Sequence, residues 1–397
     1  HVFGVMKFLH FRASCVSLLL GKCVSSIVAA PLHPEAAVGI DWDSFGFGLN
    51  GVKTDSMWMD QVKVTEGGNT LYSDECLVPM APLELHPACT FLNYGQGIFE
   101  GLKAFRRADG SIALFRPDQN AKRMENGAKR SLMPPVPTKT FLKAADSVVR
   151  SNAKWVPPLG KGALYLRPIL FGSGAALGVG PSPEYTFCIY CSPVGNYFKG
   201  DLVAIDLQAV KGYSRAAPGG SGAVKAAGNY APAFKVQKEV RGRGYDEALF
   251  LDAVSGEAVE EAGASNFFAV FPNNTIVTPS LSKETILAGV TRDSILELAR
   301  EECGCEVIEG RLCLDDLEEA TEAFCCGTGA CITPVASVSV TTRENPETEE
   351  RRKMVFGDGK SPGALTRRLY RLLMDIQQGT DERLNEKYSH WIHLVEP

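Results

Sequence analysis

From about Ile40 onward the sequence alternates strand-like and helix-like stretches, with no internal repeat and no low-complexity run. That alternation points away from all-helical and all-strand architectures and predicts a mixed α/β protein. Residues 112–115 read as a strand, and Pro117 opens a helix through about Lys129, because proline suits a first helical turn. A second helix is predicted over 141–155, and strands over 163–171 and 185–191. Further strands are predicted over 202–210, 247–252, 265–271 and 331–338, with a helix over 291–301. Leu365, Leu369, Leu372, Leu373 and Ile376 share one face of a last helix. Pro193-Val-Gly-Asn-Tyr197 carries turn residues between the halves. The division expected is a small α/β domain over 39–194, a link at 195–200 and a larger domain over 201–397, with the site in the cleft between them.

With 397 residues, 45% of them apolar, the chain can fill two cores. A net charge of -5 with both signs interspersed offers no patch for nucleic-acid phosphates, and no apolar run reaches a membrane span. Neither nucleic acid nor membrane is an expected partner. The twelve cysteines are not spaced as a secreted disulfide framework and read as reduced structural thiols. Cys188 and Cys191 sit on opposite faces of an expected strand, which disfavours a shared metal or disulfide. Histidine is scarce: between His33 and His390 only His86 occurs, too few for a Ser-His hydrolase or a multi-His metal centre. No metal is expected. Residues 1–30 carry Lys7, Arg12, Lys22 and several serines but no acid, the composition of an organelle transit peptide. Segment 1–38 is read as targeting or disordered chain, bound for a mitochondrion or alternatively a plastid. A cytoplasmic protein follows if the N-terminal segment is an artefact of the gene model.

The chemistry concentrates around Ala217-Pro-Gly-Gly-Ser-Gly-Ala-Val-Lys225-Ala-Ala-Gly-Asn-Tyr230, where Lys225 is the one charged residue from 216 to 234. Desolvation there lowers a lysine pKa and makes the neutral, nucleophilic amine accessible. Taken alone the segment also reads as a mobile surface lysine. A phosphate-binding P-loop fails, because Val224 precedes the lysine and Ala226 follows it. Val259-Glu-Glu261-Ala-Gly263 reads as a turn entering a hydrophobic strand, and either Glu260 or Glu261 could set an anion against a ring nitrogen. Gly289-Val290-Thr291 precedes an amphipathic helix whose free N–H groups suit a phosphate. Thr328 lies in a glycine-flanked loop.

These segments, in this order, resemble the branched-chain amino acid aminotransferases, fold type IV of the pyridoxal-phosphate enzymes. The resemblance runs from about Asp41 to the C-terminus. It adds Asn93-Tyr94-Gly-Gln-Gly-Ile-Phe99-Glu100-Gly101-Leu-Lys-Ala-Phe105, Leu114-Phe-Arg-Pro-Asp-Gln-Asn-Ala-Lys-Arg123-Met and Tyr165-Leu-Arg167-Pro. It implies a two-domain fold with pyridoxal 5'-phosphate in the interdomain cleft as a Schiff base on Lys225. Tyr230 would bond the phenolic oxygen and Glu261 the ring nitrogen. Arg123 would bind the phosphate, helped by Val290, Thr291 and Thr328. Tyr94, Phe99 and Tyr165 match walls of the side-chain pocket, and Gly329 and Ala330 the turn that meets the substrate α-carboxylate. Arg167 matches the residue that pairs with the distal carboxylate of glutamate; on spacing alone it also reads as an arginine closing a strand end. The implied substrates are leucine, isoleucine or valine with 2-oxoglutarate or glutamate. The implied assembly is a homodimer, with Tyr94 reaching across from the partner. D-amino acid aminotransferase and aminodeoxychorismate lyase share the lysine and glutamate but lack the Tyr-Leu-Arg-Pro block. A catalytically silent binding protein has no reason to keep the whole set.

Overall fold

The computed structural model describes residues 33–64, 70–73, 76–196, 202–341 and 352–397, which fall in one unit spanning Pro31–Pro397. The targeting segment up to position 32 and positions 197–200 of the expected link lie outside the described residues. Two nine-stranded sheets carry the unit.

The first sheet is antiparallel at every pairing. Its long central strands, Ala163–Gly172 and Glu184–Val194, pair from Ala163 opposite Val194 to Gly172 opposite Tyr185. Leu102–Arg106 and the short Gly97–Phe99 both flank Ala163–Gly172, so Phe99, Lys103 and Tyr165 come from neighbouring strands. Helices Pro117–Arg130 and Thr138–Ser151 cover one face, burying Met124, Phe141, Val148 and Val149 against Phe187 and Ile189. The expected helix over 141–155 instead starts after Pro137 and ends before Asn152. The Asn152 amide turns away to bond the Val148 carbonyl and the Asp55 and Ser56 backbone N–H groups, leaving only a short 3-10 turn at Ala153–Trp155. Side-chain competition for the backbone is the physical reason.

In the second sheet, Val259–Ala262 pairs with both Glu247–Leu251 and Ser265–Phe271 and so closes six strands into a ring. Residues alternate across it. Phe267 packs inward with Leu249 and Val338, while Phe268 stacks on Phe324 at 4.8 Å beneath the helices Val290–Glu301 and Ala364–Gln378. The expected turn at Val259–Glu261 is therefore a buried strand, with the turn falling at Gly263–Ala264. Its pairing on both edges overrides the low strand propensity of two consecutive glutamates.

The final strand, Ile392–Leu394, returns to the first sheet and pairs with Ile112–Phe115. Beside it, Arg116 lies over the buried Trp391 ring at 4.8 Å. It also donates to Ser294 Oγ at 2.8 Å and to Asp293 at 2.7 Å. The first turn of Val290–Glu301 is thereby tied to the end of a strand from the first sheet. That tie positions the site.

Candidate active site

Lys225 emerges beside the strand Gly97–Phe99: the Phe99 N–H donates to its carbonyl at 3.0 Å, and Ile98 bridges to Ala226. The backbone contact aims the amine over the Phe99 ring, 4.8 Å from its centroid, where Nζ donates to the Tyr230 hydroxyl at 3.1 Å. The residue keeps partial exposure, but its amine lies deep among Phe99, Tyr230 and two arginines. Burial first, then the charges of Arg123 and Arg167, pull its pKa down to about 8. Burial also raises the Tyr230 pKa. A neutral amine is thus available near physiological pH.

Glu261 is buried on the ring strand Val259–Ala262 and pairs with Arg215, itself buried, at 3.0 Å. It also accepts from the Leu287 N–H and from Asn266 Nδ2 at 3.3 Å. Burial pushes its pKa up, while Arg215, the Leu287 bond and the nearby Lys225 amine oppose that. Such pairing opposes the protonation that burial favours. Glu260 points to the opposite face, as neighbours on a strand must, and lines a separate cavity with Thr285, Lys283 and Arg311.

Arg123 lines a cleft of about 580 Å³ together with Gly289 and Val290. Its Nε and Nη2 fork onto Glu100 at 2.8 and 2.7 Å, and Nη1 donates to the Ala288 carbonyl at 2.9 Å. The adjacent helix Val290–Glu301 has no side-chain cap, so its first N–H groups remain available to an anion. Gly289 is required at this helix head, because a Cβ there would stand 2.2 Å from Asn266 Oδ1. Val290, Thr291 and Thr328 meet at one small cavity beside Asn120.

On the other side of the lysine, Arg167 lies 4.9 Å from the Phe99 ring centroid and donates to the Tyr165 hydroxyl at 3.2 Å. Gly101 is glycine for the same reason of closeness: a Cβ would lie 1.9 Å from the Tyr165 oxygen. Gly329 and Ala330 occupy the three-residue loop between strands Glu322–Gly327 and Cys331–Thr341. Phe47 stands edge-on to Tyr165 at 5.2 Å and covers Gly329. Tyr94 is the one expected residue that does not join this group. Its side chain is exposed, and its hydroxyl donates to the Leu177 carbonyl.

Several residues escaped the sequence reading. Arg215 is the charge that ends the uncharged run before Lys225, a signal visible in hindsight. Glu100 stood in a motif without a role, and Lys103 and Phe47 carried no pattern of their own. Among the described residues no cluster of three or more His, Cys, Asp or Glu side chains could hold a metal ion.

A desolvated lysine amine, a cation-backed carboxylate, and an arginine at a free helix head suit a cofactor with an aldehyde, a basic ring nitrogen and a phosphate. The family model of amino-transferase class IV matches residues 97–338. A chloroplastic branched-chain-amino-acid aminotransferase of Arabidopsis thaliana is 42% identical over 96% of this chain and 89% of its own. A mitochondrial one from the same plant is 43% identical over 90% of each. Among solved structures, the branched-chain amino acid aminotransferase of Escherichia coli superposes with a TM-score of 0.69. It is 27% identical, over 86% of this chain and 100% of its own. The chain belongs to the class IV aminotransferases, and its cofactor is pyridoxal 5'-phosphate. Within that class it falls among the branched-chain amino acid aminotransferases.

Proposed function

We propose that the chain catalyses reversible amino transfer between leucine, isoleucine or valine and 2-oxoglutarate. One observation carries the reading: an amine with its pKa lowered to about 8, held over Phe99 and 3.1 Å from the Tyr230 hydroxyl. In this reading Arg123, the Val290 and Thr291 amides and the hydroxyls of Thr291 and Thr328 would hold the phosphate. Glu261, kept anionic by Arg215, would hold the ring nitrogen protonated, and Tyr230 would bond the phenolic oxygen. When bound, the cofactor supplies an electron-withdrawing ring that stabilises negative charge at the substrate Cα. Lys225 captures the cofactor, is released on substrate binding and then moves the proton at that Cα as acid and base.

Phe99, Tyr165 and Phe47 give the apolar wall that a branched side chain requires. Arg167 stands at its edge beside the Phe99 and Tyr165 rings, and its buried Nε has no protein partner, so it could accept a distal carboxylate. Lys225→Ala is expected to abolish steady-state glutamate formation from leucine and 2-oxoglutarate while the fold persists by circular dichroism. Ordinary turnover in that variant would sink the mechanism.

A homodimer fits the surface. Leu92, Tyr94, Leu132, Leu177 and Val179 are exposed, and the Tyr94–Leu177 bond links the end of the helix Thr90–Tyr94 to the loop carrying Leu177. Light scattering should give about twice the 42.9 kDa chain mass, and a stable monomer contradicts this assembly. The chloroplastic and mitochondrial locations of the plant relatives and the acid-poor first 30 residues support delivery to an organelle. The mitochondrion is our choice, which imaging of a fluorescent fusion to residues 1–38 decides against the plastid or the cytoplasm.

A further inference from the structure

A second cavity, of about 350 Å³, lies behind the strand Val259–Ala262, on the face opposite Glu261. That volume is of small-molecule size. Strand termini frame it: Val259 opens one strand, Pro279 ends Thr275–Pro279 and Gly310 ends Glu306–Gly310. The catalytic chemistry above uses none of its charged groups.

Three carboxylates line the cavity, and two are committed. Asp252 accepts from the backbone N–H groups of Ser255, Glu257 and Ala258 and from the Ser255 hydroxyl. Glu309 pairs with Arg292 at 3.0 Å and Arg300 at 3.5 Å. Glu260 is different. It is only 6% exposed and has the Thr285 side chain as a partner, yet its Oε2 has none among the described residues. Burial raises its pKa, and the Asp252 charge adds to that, against the Thr285 bond and the Arg215 and Lys283 charges. A cationic donor at Oε2 would satisfy the orphaned oxygen and oppose that push. Two cations complete the lining, both exposed. Lys283 has no carboxylate within ion-pair distance among the described residues. Arg311 spends its hydrogen bonds on neutral groups, Ser255 Oγ at 3.3 Å and Cys313 Sγ at 3.0 Å.

One buried carboxylate oxygen and two exposed cations call for an occupant with one ammonium and two carboxylates. A plain amine would meet two like charges, and a plain dicarboxylate would meet Glu260. We propose that this cavity binds a free dicarboxylic amino acid, with its ammonium on Glu260 and its carboxylates on Lys283 and Arg311. The site is separate from the cofactor cleft but shares a wall with it. Ile286 lines the cavity, and the N–H of the next residue, Leu287, bonds Glu261. The occupant and the ring carboxylate thus stand back to back, and the site does not depend on the aminotransferase reading.

The test measures binding of L-aspartate to the cofactor-loaded protein by calorimetry, because glutamate would also enter the proposed catalytic cleft. Succinate, which lacks the ammonium, and L-asparagine, which lacks one carboxylate, are measured beside it. Each should bind about 10- to 100-fold more weakly than aspartate, as expected for one lost charge-assisted bond. Lys283→Met, at an exposed position that the fold tolerates, should weaken aspartate about tenfold and leave turnover of leucine unchanged. Arg311→Met should act alike. Glu260→Gln should weaken aspartate but not succinate, which has no ammonium to lose. A wild-type protein that binds no aspartate overturns the proposal, as does one that binds all three molecules equally. Aspartate binding that Lys283→Met and Arg311→Met leave intact places the ligand elsewhere and overturns it too.

Discussion

The two ends of the site use the same device with opposite signs. At one end Glu100, fully buried, holds Arg123 by a two-pronged fork and leaves a guanidinium facing the cleft. At the other Arg215, its side chain also buried, pairs with Glu261 by a single 3.0 Å contact. In our reading one member of each pair would present charge to the cofactor while the other holds it: Glu100 keeps the Arg123 guanidinium in place, and Arg215 opposes protonation of Glu261. The fork fits the phosphate end, where orientation matters. The single contact fits the ring end, where one oxygen must face one nitrogen.

Because both pairs are buried, stranding either carboxylate should be costly, and the comparison breaks if the consequences do not differ. Arg123→Met should cost about 3–5 kcal/mol in thermal unfolding and also shed cofactor on gel filtration. Arg215→Met should cost a similar amount but retain the cofactor, losing turnover instead. Equal cofactor loss in the two would contradict the division of labour. A smaller effect sharpens the point. Replacing Arg123 and Glu100 together by methionine should destabilise by about 0.5–3 kcal/mol less than the sum of the two single losses, since no charge is stranded. Cofactor affinity should stay low in that double variant; its recovery would mean that the arginine has no ligand role.

The smallest expected effect concerns pH. The folded pKa of Lys225 lies below that of a free lysine, so the neutral amine grows as pH rises towards about 8 and levels off above. Cofactor capture by the apoprotein, followed by absorbance, should accelerate about tenfold per pH unit below that midpoint and plateau beyond it. A rate still climbing at pH 10 would show an unshifted amine. Arg167→Met should move the midpoint upward, because Arg167 is one of the charges that depress it.

What the sequence disclosed follows the same division. Arg123 and Glu261, the members read as facing a ligand, were legible in their motifs; of their counter-ions, Glu100 stood in a motif without a role and Arg215 comes from a distant segment. Pairing across the fold leaves no local pattern. The long strands and the Ala364–Gln378 helix were legible because burial imposes a period of two or of 3.6 residues. Val259–Ala262 was not, since it is four residues long, carries two glutamates and is strand only because neighbours pair on both its edges. The return of Ile392–Leu394 to the first sheet likewise had no signal beyond three unremarkable residues.

The most direct test of the central claim is the visible spectrum of the purified protein through the two half-reactions. The account expects a yellow protein whose band is bleached by leucine and restored by 2-oxoglutarate, with Lys225→Ala lacking the native band from the outset. A wild-type protein that takes up pyridoxal phosphate on Lys225 but keeps its band unchanged in leucine, isoleucine and valine would contradict it.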